Sequence, residues 1–169
     1  LRADLRARGV WYTGRHGPLI SLRMLLTDGS LCTLLYRLTG FLRRIHLGPL
    51  AALSYKFNTF MTGAVIGRGA EFGPGLVILH SQALVINTSV RGGENVILEG
   101  CVTIGAEKNA SPVLGNRVFV GSGARIIGGV TIGDEARIGA NAVVVKDVPD
   151  RATAVGVPAR VVGTRSEGG

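Results

Sequence analysis

The stretch Val120-Gly121-Ser122-Gly123-Ala124-Arg125-Ile126-Ile127-Gly128-Gly129-Val130-Thr131-Ile132-Gly133-Asp134-Glu135-Ala136-Arg137-Ile138-Gly139-Ala140-Asn141-Ala142-Val143-Val144 sets a large aliphatic residue at every sixth position. The same spacing runs backwards through Leu114 and, beyond a lapse at Lys108, through Val102, Val96, Val90, Leu84, Ile78, Phe72 and Ile66. Glycine follows the apolar residue at Gly67, Gly73, Gly115, Gly121, Gly133 and Gly139, and a small residue stands four places after it at Ala70, Ala124, Ala136 and Ala142. A helix would rotate such a pattern around its surface, and one long strand would not tolerate so many glycines. Short strands joined by tight corners satisfy it, each coil burying its apolar face only against its neighbours. Lys108 falls where an aliphatic residue is due, so the segment 106–112 is expected to leave the repeat as a loop.

Working outward, the first third has another character. Residues 1–62 carry nine Lys or Arg against Asp4 and Asp28, which accounts for most of the net charge of +8. After Asp28-Gly29-Ser30, read as a helix cap, Leu31, Leu34, Leu35, Leu38, Phe41, Leu42 and Ile45 follow the three-and-four spacing of an amphipathic helix. Gly48-Pro49 ends that segment and opens another through Leu50, Leu53, Phe57 and Phe60, and a short helix fits around Asp4–Arg8. The reading is mainly β, a parallel β-helix of hexapeptide repeats at 63–163, preceded by an α-helical segment at 1–62 and followed by a flexible tail at 164–169. No apolar run approaches the roughly 20 residues that span a bilayer. Cys32 and Cys101 are too far apart for a CxxC pattern, so neither a disulfide framework nor a metal site is expected, and a reducing cytoplasm fits best. The basic segment suggests solvated helix faces or peripheral contact with an anionic membrane, and no nucleic-acid reading motif accompanies it.

The segments Ile66-Gly67-Arg68-Gly69-Ala70, Val120-Gly121-Ser122-Gly123-Ala124 and Ile138-Gly139-Ala140-Asn141-Ala142, with the ending Gly156-Val157-Pro158-Ala159-Arg160, resemble the hexapeptide repeat of the left-handed β-helix acyltransferases. Gly75-Leu76-Val77-Ile78-Leu79-His80 through Val102-Thr103-Ile104-Gly105 resembles the serine acetyltransferases and their polysaccharide-associated relatives. The resemblance implies a triangular prism, a homotrimer with active sites between subunits, and acetyl-CoA as acyl donor. It also implies that His80 is the catalytic histidine. Matching donor-binding positions are Gly105, Ala106, Ser122, Gly123, Arg137 and Ala140, with Lys146 and Arg160 as cations for the nucleotide phosphates.

Moving an acetyl group from a thioester to an alcohol needs a base for the hydroxyl proton and donors for the developing oxyanion. His80, the only histidine in the repeat, suits the first role, whereas His16 and His46 look incidental. Three polar positions of the serine-specific pattern are changed: Leu79 replaces an aspartate before the histidine, Val65 replaces the aspartate that orients it, and Ser111 replaces a second histidine. Without carboxylates for a free amino acid, the sequence favours a saccharide or glycolipid hydroxyl as acceptor, with serine as the alternative and an inactive trimeric scaffold as a third reading. The orienting partner of His80 is left open among Asn87, Glu99 and a group across the subunit boundary.

Overall fold

The computed structural model describes residues 1–164. The segment 165–169, most of the expected tail, lies outside the described residues. Four helices, α1 (Arg2–Thr13), α2 (Pro18–Met24), α3 (Ser30–Arg44) and α4 (Gly48–Thr62), precede fifteen short strands between Val65 and Thr164. The strands form parallel sheets of five, four and six members, visited in rotation, so the chain winds as a three-sided parallel β-solenoid. One antiparallel pairing, Ala152–Val155 with Arg160–Thr164, finishes the C-terminal end. No helix among the described residues is long and apolar enough to cross a membrane.

All thirteen residues of the six-residue frame are buried, with Ala70, Ala124, Ala136 and Ala142 beside them in the same core. The glycine after the aliphatic residue answers a close approach: a Cβ on Gly67 would lie 2.4 Å from the Thr88 backbone. Phe72 is accommodated likewise, since a Cβ on its partner Gly92 would lie 2.3 Å from the Phe72 ring.

The frame itself slips. Ile66 pairs with Ile86, Phe72 with Gly92 and Ile78 with Leu98, each twenty residues on instead of eighteen. Two extra residues therefore enter at the corner after Ile78, which holds His80. From there the strand positions are Ile86, Gly92, Leu98 and Ile104, while Leu84, Val90, Val96 and Val102 fill the inward slot two residues earlier. Four more residues enter after Ile104, where Glu107 and Ala110 close a tight hairpin around Lys108 and Asn109. Two and four make one hexad, so the pattern returns to its original phase at Leu114.

A solenoid leaves its first coil with unpaired peptide groups, and the helices supply partners for them. Tyr36 on α3 donates its hydroxyl to the Ala70 carbonyl (3.0 Å) and accepts from the Phe72 N–H (3.1 Å). Arg37 donates to the carbonyls of Phe72 (2.8 Å) and Gly73 (2.7 Å). Asp4 on α1, 2% exposed, accepts from the N–H groups of Gly75 (3.0 Å) and Leu76 (2.9 Å) and is bridged by Arg37 at 2.8 Å. Arg8, 1% exposed, donates to the Ile78 carbonyl, and Arg43 to that of Arg68. Part of the basic charge of the first third thus works inside the molecule. The apolar stripe of α3 turns the other way: Leu31, Leu34, Leu38 and Phe41 are exposed, whereas Cys32, Leu35, Tyr36 and Thr39 are buried.

Burial raises the Asp4 carboxyl, but the hydrogen bond and charge of Arg37, together with those of the Leu1 ammonium, offset this and hold it below its ordinary value. Asp4→Asn should cost about 3 kcal/mol at neutral pH by urea unfolding, since it breaks a buried pair. The contribution of Asp4 is complete above the unfolded carboxylate value of about 3.9 and is lost as pH falls through the depressed folded value. The gap between wild type and variant should therefore narrow in acid.

Candidate active site

His80 sits in the widened corner after the strand Val77–Ile78, with Leu79 buried before it and its own side chain 57% exposed. Its Nδ1 lies 3.5 Å from Oδ2 of Asp28. Asp28 therefore does not cap α3: Gly29 is the N-cap, in the left-handed conformation, and no side chain caps that terminus. Neither Asn87 nor Glu99 forms a pair with His80; the Asn87 side chain accepts from the Ser89 N–H instead. With Nδ1 turned to a carboxylate, Nε2 is the ring nitrogen left to take a proton.

Successive coils stack their corners beneath His80. A Cβ on Gly100 would lie 3.2 Å from the His80 Cβ, Ser122 donates its hydroxyl to the Gly100 carbonyl at 3.0 Å, and the Asn141 N–H donates to the Ser122 carbonyl at 2.8 Å. Ser122, Gly123 and Ala140 thus share one column with the histidine, and the small residues leave its flank open to close approach. Gly105 and Ala106 lie at the next corner, across the sheet containing Thr103–Gly105, with Lys146 two coils on. Arg137 stands apart from both columns, its guanidinium 4.4 Å from the Phe119 ring centroid, on which Trp11 of α1 also stacks. Arg160 begins the exposed terminal strand. Among the described residues, no cluster of His, Cys, Asp and Glu could hold a metal ion.

Comparison with known proteins agrees with this architecture. Residues 111–146 match the bacterial transferase hexapeptide (six repeats) family. A serine acetyltransferase of Helicobacter pylori is 36% identical over 166 residues, 96% of this chain and 91% of the relative. The chain belongs to the serine acetyltransferase family. A Mycobacterium tuberculosis serine acetyltransferase is 38% identical over 132 residues, 76% of this chain and 58% of that one. Among solved structures, the soybean serine acetyltransferase apoenzyme superposes with a TM-score of 0.83 at 31% identity, over 95% of this chain and 67% of its own. A serine acetyltransferase in complex with CoA gives 0.83 at 30%, over 95% and 68%. Membership makes this protein a CoA-dependent O-acetyltransferase, with acetyl-CoA as donor, as the sequence resemblance implied. None of these relatives supports a glycan acceptor.

Sequence reading missed Asp28 and Arg8 as neighbours of the site. A usable signal was present, since Asp4 and Asp28 are the only acids among the first 62 residues, and each has a specific partner. His80→Ala should reduce acetyl transfer by at least about 100-fold, with circular dichroism and thermal unfolding unchanged, because the ring is exposed and its loss opens no cavity.

Proposed function

We propose that this protein transfers an acetyl group from acetyl-CoA to the hydroxyl of serine, with His80 as general base. The observation that carries the reading is the exposed imidazole at a corner lined by Gly100, Ser122, Gly123 and Ala140, in a chain whose relatives are serine acetyltransferases. Nε2 of His80 removes the hydroxyl proton as the acceptor oxygen bonds to the acetyl carbonyl carbon. The C–S bond breaks, and the imidazolium returns its proton to the departing thiolate. Gly105, Ala106, Ser122, Gly123 and Ala140 would admit the pantetheine arm, and Lys146 and Arg160 would meet its phosphates. Arg137 would do so only after leaving Phe119.

A saccharide acceptor is the second reading, favoured by Leu79, which is buried, and Val65, which is exposed on the first coil; neither offers a carboxylate to an ammonium group. Thiol release from acetyl-CoA, measured with L-serine and with neutral sugars, separates the two. Serine is expected to be acetylated with the higher kcat/KM; turnover with sugars alone would transfer the assignment to them.

A homotrimer accompanies the proposal. Leu50 (50%), Leu53 (65%), Phe57 (49%) and Phe60 (85%) on α4 are exposed, as is the apolar stripe of α3, and large apolar side chains left exposed in such number suit a subunit interface. Light scattering coupled to gel filtration should give three times the chain mass of 17.6 kDa. A mass of one chain would remove the site from any subunit boundary.

A further inference from the structure

We propose that Asp28, carried in from the helical segment, is the positioning residue for His80, a task that Val65 in the repeat, having no carboxylate, cannot perform. The inference rests on the reading of His80 as base and adds to it the group that fixes its tautomer.

Three independent features converge on this carboxylate. It is the acid facing Nδ1, at 3.5 Å, a separation longer than a formed N–H···O bond but one that contacts of this kind close in the reacting complex. The turn bearing it is pinned to the strand that bears His80. Buried Arg8 donates to the Asp28 carbonyl and to the Ile78 carbonyl, and to the Thr27 hydroxyl at 3.3 Å, so one guanidinium spans both sides of the site. Gly29 makes that approach possible: its φ is +73°, and a Cβ there would lie 1.9 Å from the Ile78 carbonyl oxygen. Thr27 and Ser30 brace the turn, both hydroxyls donating to the Met24 carbonyl.

The Asp28 side chain, by contrast, has no structural task. It is 80% exposed and leaves the N-terminus of α3 uncapped, while the backbone around it is held at several points. A rigid backbone presenting a carboxylate to one imidazole nitrogen is what tautomer control requires: Nδ1 keeps its hydrogen, and the lone pair is placed on Nε2.

The test compares Asp28→Ala, Asp28→Glu and His80→Ala with wild type in the chain of residues 1–169. Asp28→Ala should lower kcat roughly 100-fold while KM for acetyl-CoA changes less than about threefold, the size expected for a misplaced catalytic group. Asp28→Glu should recover part of that loss, and thermal unfolding should be unchanged in both. Nitrogen-15 NMR of the histidine rings should show His80 predominantly protonated on Nδ1 in wild type and redistributed toward Nε2–H in Asp28→Ala. Wild-type kcat in Asp28→Ala, a loss confined to KM, or an unaltered His80 tautomer would overturn the proposal. An active His80→Ala would remove the base assignment instead, and the NMR comparison would still decide whether Asp28 controls the ring.

Discussion

The open end of the solenoid is the constraint on which the rest of this molecule depends. A coil stacked on one side only has main-chain donors and acceptors facing nothing, and burying them unpaired would cost more than its few apolar contacts return. Here Tyr36, Arg37, Asp4, Arg8 and Arg43 meet eight such groups between Arg68 and Ile78. The helices are held to the prism chiefly through these polar side chains, with Cys32 and Tyr36 adding apolar cover. This explains why the buried side of α3 is partly polar while Leu31, Leu34, Leu38 and Phe41 face outward.

The fold was legible wherever burial is periodic. Ile126, Ile132, Ile138 and Val144 announce their coil directly, and the lapse at Lys108 marks a real excursion. The phase slip after Ile78 is hidden in the sequence for a physical reason: both inward slots of each hexad accept large aliphatic residues, so Leu84 and Val90 continue the count although the strands now centre on Ile86 and Gly92. Of the helices, α3 and α4 follow from spacing and from Gly48-Pro49. The seven-residue α2 is too short to display a period, and α1 runs past the Asp4–Arg8 turn because Trp11 finds Phe119, a contact between residues far apart in sequence.

The site was half legible for related reasons. His80 stands out as the lone imidazole of the repeat, but its partner is 52 residues away on a turn whose Asp-Gly-Ser pattern also describes a helix start. Local chemistry favours the cap, and the tertiary approach made possible by Gly29 overrides it. The two extra residues that disturb the count also widen the corner on which the imidazole stands, so the irregularity in the repeat and the chemistry occupy one place.

Arg8 gives this arrangement a further meaning. Because one guanidinium holds both the last strand of the first coil and the Asp28 turn, the element that ends the solenoid also shapes the reaction centre. A fragment beginning at Gly63 would keep every repeat yet expose three unmated sheet edges at once. Such pieces would join in pairs through that opened end, so the helical segment also acts as a stopper against edge-to-edge association.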